Sequence, residues 1–267
     1  MPETTKHYFW SKLGSLEHLL SKESPLPQLK SHEVLVKIHA VSLQVETELL
    51  QNNFLSLTYF KYRDLVIGLN KYPGNFPEEL VPCSDMAGEI IVIGDDAGSQ
   101  WKIGERVCAN FAADHIAGET SPEIQKTAHG GPIHGVLTQY KAFRPHSLVR
   151  IPDHLSFEEA STLPCAALTA YNALMGPVPI KGGDVVLIEG TGGVSIHGLQ
   201  FALASGASAI VTSSSDDKLK IVTKLGAQHV INYKSAPEWH EMVLELTGGR
   251  GVDHVVEVFS ADNTADA

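Results

Sequence analysis

The chain has 267 residues, 43% of them hydrophobic and 19% charged, with 20 Lys and Arg against 31 Asp and Glu for a net charge of −11. That is ordinary globular usage at a length for one large or two ordinary domains, which excludes a disordered or fibrous protein. The acidic balance argues against nucleic acid or an anionic membrane as partner, and three cysteines without a CxxC exclude a disulfide framework or a thiolate zinc site.

The N-terminus MPETTKHYFW has no apolar core of signal-peptide length. No window offers the roughly 18 uninterrupted apolar residues of a membrane span. The expectation is a soluble, cytoplasmic protein.

The first half reads as β-rich. EVLVKIHAVSL (Glu33–Leu43) alternates and is rich in β-branched residues. MAGEIIVIG (Met86–Gly94), ERVCANF (Glu105–Phe111) and GVLTQYKAF (Gly135–Phe143) repeat the pattern, with Gly and Pro between them. Short strands at such spacing predict a small barrel or sandwich.

The texture changes near Leu148. Ser156 and Glu159 are spaced as a capping box that opens a helix. Ala167–Leu174 continues as a second helix, ended by Gly176 and Pro177. Strands then alternate with helices. Strands are expected at Asp184–Glu189, Ala209–Thr212, His229–Tyr233 and Val252–Val258. Helices are expected at Val194–Ser205, Asp216–Leu225 and Pro237–Thr247, the last with Pro at its start and Gly248 and Gly249 at its end. This order predicts a parallel sheet covered on both faces. The sheet reads as unfinished, because a dinucleotide-binding sheet usually has six strands in two halves.

The strongest local signal is EGTGGVS, Glu189–Ser195, between a strand and a helix. Gly190 permits a tight turn. Gly192 and Gly193 let backbone N–H groups approach a pyrophosphate at the helix N-terminus, with Thr191 and Val194 completing the turn. The third glycine of the usual fingerprint is replaced, since Ser195 and Ile196 stand where a small residue would pack on the strand. A purely structural strand–helix turn is the alternative. About 20 residues on, NAD-type sites place a carboxylate for the ribose hydroxyls. Here Ser213 and Ser214 stand at the strand end, and Lys218 lies in the first turn of the next helix. Hydroxyls plus a cation suit a 2′-phosphate, so NADP(H) is the expected cofactor. The competing reading is an ordinary helix start, with Ser215 as cap and Asp216 and Asp217 favouring the dipole.

At this point a family is visible. The matching segments are EVLVKIHAVSL, YRDLVI, VPCSDMAGEIIVIG, IGERV, GGPIHGVLTQY, LSFEEASTLPCAALTAYNAL, GGDVVLIEGTGGVSIHGLQFA, TSSSDDKLK, LGAQHVINY and TGGRGVDHVVEV. In this order they cover nearly the whole chain, which resembles the zinc-free, quinone-oxidoreductase-like branch of the medium-chain dehydrogenase/reductase superfamily. The resemblance implies an α/β protein with a GroES-like β-barrel domain over 1–150 and a truncated Rossmann domain over 151–267. It implies hydride transfer from NAD(P)H in a cleft, and a homodimer in full-length relatives.

Zinc-dependent members carry Gly-His-Glu where this chain has Cys83-Ser84-Asp85, so a serine replaces the histidine ligand. A first cysteine ligand near Tyr62-Arg63-Asp64 is absent, and Cys165 alone matches a later one. No metal is expected. Cys83, Cys108 and Cys165 read as buried small hydrophobes, and His129 and His134 as solvated or structural residues of a loop.

Without a metal, hydrogen bonds must polarise a carbonyl. That favours conjugate reduction of an enone or enoyl group, or reduction of a quinone. Tyr62 matches the family position lining the cleft, either as proton donor or as a packing and orienting group. Arg63 and Asp64 are expected to form a salt bridge. Tyr140 and Thr169 are weaker cleft candidates. Two other readings are a truncated, catalytically silent nucleotide-binding protein and an alcohol dehydrogenase of small alcohols.

Two stretches depart from the family. Val45–Lys61 separates VSLQ from YRDLVI, which run together in relatives. Its 17 residues correspond to 51 nucleotides, valine codons begin GT, and one lysine codon ends AG. It reads as a retained intron, with a surface loop insertion as the alternative. Phe259–Ala267 resembles nothing in the family and reads as the end of a truncated domain.

Overall fold

The structure is a computed structural model that describes residues 2–42 and 62–258. Both departing stretches, Val45–Lys61 and Phe259–Ala267, lie outside the described residues. The chain divides into two compact units, Met1–Cys165 and Ala166–Ala267.

Unit 1 is antiparallel. Strands β1 (Thr4–Trp10) and β2 (Leu19–Pro25) pair with each other. A five-stranded sheet follows the order β6-β3-β4-β5-β7, from β3 (Val34–Val41), β4 (Met86–Ile93), β5 (Arg106–Ala109), β6 (Tyr140–Phe143) and β7 (Leu148–Arg150). Val34, Val36, Met86, Ile90, Val107 and Phe143 fill its core. Helix α1 (Tyr62–Gly68) buries Ile67 against Trp10 and Leu80. A short α2 (Pro122–Gln125) is capped by Ser121.

Three strands went unread in the sequence, namely β1, β2 and β7. β1 is fastened to residues far along the chain: Tyr8 N–H donates to Leu137 O at 3.0 Å and Gln139 N–H to Lys6 O at 3.0 Å. The expected strand Gly135–Phe143 is regular only from Tyr140. Its first amides donate elsewhere, Gly135 to Val81 O and Val136 to Pro82 O and Cys83 O. A Cβ at Gly135 would meet Cys83 O at 2.1 Å, so only glycine allows that approach.

The capping box forms as expected at α3 (Phe157–Ala160): Ser156 Oγ accepts from Glu159 N, and Glu159 Oε2 accepts from Ser156 N at 2.8 Å. Ile151 and Ala160 pack with Ala87 and Cys108, which keeps this segment with unit 1 beyond the change of texture at Leu148.

Unit 2 holds α4 (Leu168–Met175), entered through a π-helical turn at Leu163–Ala167, and a parallel sheet. Its strands are β8 (Val185–Glu189), β9 (Ser208–Ser213), β10 (His229–Asn232) and β11 (His254–Val256), in the order β10-β9-β8-β11. The order reverses between β8 and β11, which is where open α/β sheets take ligands, outside the carboxyl ends of the strands. Helices α5 (Gly193–Ala204) and α6 (Asp216–Lys224) cover one face, where Leu199, Ala202, Leu219 and Val222 meet Val186, Ile188 and Val211. Helix α7 (Trp239–Leu246) covers the other, where Val243 meets Leu187, Ile210 and Ile231. β8 therefore buries alternate residues on both faces, which is why it reads as an unbroken apolar run.

Pro237 does not open α7. It precedes the cap, Glu238, because the Ser235 and Ala236 amides turn back to Asn232 O. Gly248 and Gly249 end the helix in the left-handed region, at φ +63° and +81°.

Candidate functional site

The glycine-rich turn stands at the carboxyl end of β8. Gly190 sits at φ +86°, a left-handed conformation that costs most residues energy but not glycine, and its N–H donates to Thr212 O at 2.9 Å. Gly192 caps α5 in extended conformation without a side-chain hydrogen bond. The amides of Gly193, Val194 and Ser195 are thus the first of a helix, with no intrahelical partner. Ser195 corrects the expectation of a lost small residue. It is buried, and its Oγ donates to Glu189 O at 3.1 Å, bolting the helix start to the strand.

β9 ends beside this turn. Thr191 Oγ1 lies 3.5 Å from Ser213 Oγ, which also accepts the Ser215 amide at 3.3 Å. Ser213 is 3% exposed, and Ser214 is half-buried. Ser215 caps α6 by accepting from the Lys218 amide, so the capping role and the site geometry coexist. The two acids nearby are engaged elsewhere. Asp216 accepts from Asn232 Nδ2 at 2.6 Å, and Asp217 pairs with Lys220 at 2.8 Å. Lys218 is half-buried and makes no ion pair among the described residues. Gly190–Val194, Ser213, Ser214 and Lys218 thus share one end of the sheet. Thr169 stands exposed in the first turn of α4.

Sequence reasoning missed Glu189 and Glu257 as a pair. Ile188 of β8 is opposite Val256, the last residue of β11, and a glutamate follows each of them in the chain. Burial first, then the Glu257 charge, push the Glu189 carboxyl above the usual range. An acid directly ahead of the glycine turn was the available signal.

In unit 1, Tyr62 opens α1, and its side chain lies outside the described residues. The expected Arg63–Asp64 salt bridge is present, with Nη2 3.1 Å from Oδ1, and the guanidinium lies over the Phe111 ring at 4.9 Å. Asp64 is 1% exposed and its Oδ1 accepts the Cys83 amide at 3.2 Å. That bond holds Cys83 at φ +69°, a conformation L-residues rarely adopt. Ser84 Oγ donates to Asp85 Oδ1 at 2.6 Å, and the Cys165 amide donates to Asp85 Oδ2 at 3.1 Å.

Cys83 and Cys108 are buried as expected, whereas Cys165 is only half-buried, at the end of unit 1. Burial pushes the Cys108 thiol up to about 12, and its Sγ donates to Ala160 O. His129 is structural: it is 3% exposed, lies edge-on to Phe143, and burial pushes it down to about 3. His134 is exposed, and its Nδ1 accepts the Val81 amide. Tyr140 lines a surface cavity of about 430 Å³ with His7, Lys22 and His134.

A small antiparallel β unit, followed by a parallel sheet that opens on a glycine turn at its point of reversal, is the plan of a dinucleotide-dependent dehydrogenase. Comparison with known proteins agrees. The alcohol dehydrogenase GroES-like domain matches residues 30–153, and the zinc-binding dehydrogenase domain matches residues 193–267. Zinc-type alcohol dehydrogenase-like protein C1773.06c of Schizosaccharomyces pombe is 42% identical over 250 residues, covering 92% of this chain and 67% of that protein. Human quinone oxidoreductase is 26% identical over 246 residues, covering 91% and 63%. A solved structure from Sinorhizobium meliloti 1021, described as an alcohol dehydrogenase, superposes with a TM-score of 0.81 at 34% identity, covering 96% and 70%. The chain belongs to the medium-chain dehydrogenase/reductase superfamily, which includes zinc-type alcohol dehydrogenase-like and quinone-oxidoreductase-like members. Members bind NAD(P)H. The chain spans about two thirds of the length of the curated relatives it matches. No helix among the described residues is long and apolar enough to cross a membrane.

The second domain takes its name from zinc, but the donors in this chain differ from a zinc-binding set. Ser84 offers neither imidazole nor thiolate, and its hydroxyl is given to Asp85. Both Asp85 oxygens accept protein donors. These residues do not fit a zinc ion, which takes four N, S or carboxylate ligands.

Proposed function

We propose that this chain binds NADP(H) at the Gly190–Val194 turn and the end of β9, and serves metal-free reduction of an activated double bond or a quinone. The observation that carries it is the joined hydroxyl pair Thr191–Ser213, which puts a neutral donor where an NAD-type site places a carboxylate. The first amides of α5 hold the pyrophosphate, with the helix dipole behind them. Ser213 and Ser214 donate to the 2′-phosphate, and Lys218 faces it as a point charge. Asp216 and Asp217 are engaged by Asn232 and Lys220 instead. Thr169 adds a hydroxyl on the cofactor side.

The bound cofactor supplies the hydride. The chain's own residues bind, orient and protonate. With no zinc to polarise the acceptor, hydrogen bonds do so, and Tyr62 orients the substrate or gives it a proton. In this reading residues 1–150 carry the substrate side and 151–267 the cofactor side of a cytoplasmic enzyme acting on a small carbonyl or quinone. A homodimer, as implied by full-length relatives, fits the same reading.

Titrating the full chain with NADPH and NADH, then following loss of NADPH absorbance with a panel of quinones and enones, tests this. Tighter binding of NADPH and turnover of one acceptor class are expected. Binding without turnover assigns a nucleotide-binding protein without catalysis. No binding refutes the site.

A further inference from the structure

Two carboxylates flank the reversal point of the sheet. Glu189 ends β8 and immediately precedes Gly190, and Glu257 follows Val256, the residue opposite Ile188. Ile188 and Val256 both pack toward α5. Side chains alternate along a strand, so the two glutamates leave the sheet together on its other face. The Glu189 carbonyl is held by Ser195 Oγ in the first turn of α5. Its carboxyl therefore belongs to a residue fixed against the amides that receive the dinucleotide. Among the described residues, no hydrogen bond or ion pair reaches the Glu189 carboxylate.

Among the described residues, no cation offsets the charge of the Glu189 carboxyl. β9 sets Thr212 opposite Glu189. α4 carries no charged residue, and α5 has His197 as its titratable side chain, which burial makes harder to protonate. α7, packed on the other face, carries His240 and exposed Glu241 and Glu245. Burial and Glu257 already hold the Glu189 proton more tightly than usual. An anion seated on the next residues disfavours the charged carboxyl further.

We infer that Glu189 and Glu257 form a carboxyl pair that takes up a proton when the anionic dinucleotide binds, so cofactor affinity rises as pH falls. This rests on the proposed reading of the Gly190–Val194 turn as the pyrophosphate seat. The sign follows from linkage. Binding raises the pKa of the pair, so between its free and bound values each binding event carries a proton. Over that window affinity drops as pH rises, by at most about tenfold per pH unit for one proton.

The test is calorimetric titration of the full chain with NADPH between pH 5.5 and 8, in two buffers of different ionisation enthalpy. The 2′-phosphate has its own proton near pH 6. The comparison is therefore with Glu189→Gln, which faces the same phosphate, and with NADH, which lacks it. The expected result is a dissociation constant that rises at least about fivefold more from pH 6 to 8 in the wild type than in Glu189→Gln. Glu257→Gln should move the onset to lower pH, and it supplies the readout if Glu189→Gln does not melt cooperatively. Equal pH dependence in wild type and both variants overturns the inference while leaving the cofactor site intact. Absence of NADPH binding to the wild type at every pH overturns the cofactor site, and the inference with it.

Discussion

Replacing Ser213 with Asp tests cofactor choice directly. Ser213 is nearly buried, yet its Oγ already accepts the Ser215 amide at 3.3 Å at the start of α6. A carboxylate there inherits that donor and a favourable helix dipole, which offset part of the several kcal/mol that burying a charge costs. Binding should change as well. A 2′-phosphate about 5 Å from a unit negative charge is opposed by roughly 3 kcal/mol at an effective dielectric of 20. The charge-assisted hydrogen bond lost from Ser213 adds about 1.5–3 kcal/mol, and salt screening removes part of the total. The wild type should prefer NADPH over NADH by roughly ten- to a hundredfold, and Ser213→Asp should erase or reverse that ratio. Cofactor fluorescence titration of both proteins with both cofactors measures it, and thermal melting verifies the fold. An unchanged ratio in a properly folded variant would show that the hydroxyl run is only a helix cap.

Three further outcomes follow from unit 1. Asp64→Ala leaves the Arg63 guanidinium and the Cys83 amide without their acceptor, so chemical denaturation should show a loss of about 3–5 kcal/mol, with less for Asp64→Asn. His129 holds its proton only near pH 3 when folded but near 6.5 when unfolded. Unfolding therefore takes up a proton, stability falls as pH drops from about 6.5 towards 3, and His129→Gln should flatten the midpoint-versus-pH curve over that range. Cys108, with its thiol pushed up to about 12, should resist a thiol-specific reagent at pH 8 in the native protein, whereas half-buried Cys165 reacts first. Mass mapping of the labelled peptide reads this, and early modification of Cys108 would contradict its burial.

Much of unit 2 was legible because each signal had one physical cause. β8 is buried on both faces, so it appears as a continuous apolar run, and Gly206, Gly226 and Gly248 each take positive φ just past a helix. Unit 1 was less legible. β1 and β2 alternate weakly with exposure, and the bridge from His7 of β1 to Thr138 leaves no local trace. The apolar pattern of Gly135–Phe143 was genuine, but tertiary bonds to residues 81–83 took its amides. At the site, the glycine turn and the Ser213 run were readable from spacing. The Glu189–Glu257 pair was not, because it depends on which strand lies beside β8. The engagement of Asp216 by Asn232 likewise joins β10 to α6 and needs the fold.

The long-range fastening of β1 constrains how the protein is made. Thr5 Oγ1 accepts the Tyr140 amide and lies 3.1 Å from Thr138 Oγ1, across 133 positions of sequence. At about 5–20 residues per second, a ribosome needs roughly 7–27 s to deliver the second half of that contact. Through that interval Phe9 and Trp10, both buried in the finished protein, have no complete core to enter. β9 and β10, by contrast, meet their partner strands within a few dozen residues, and β11 reaches back 68 positions, from His254 to Val186 of β8. The emerging N-terminal segment is therefore the stretch on which a chaperone for nascent chains would act, whereas β9 and β10 find their partner strands already synthesised.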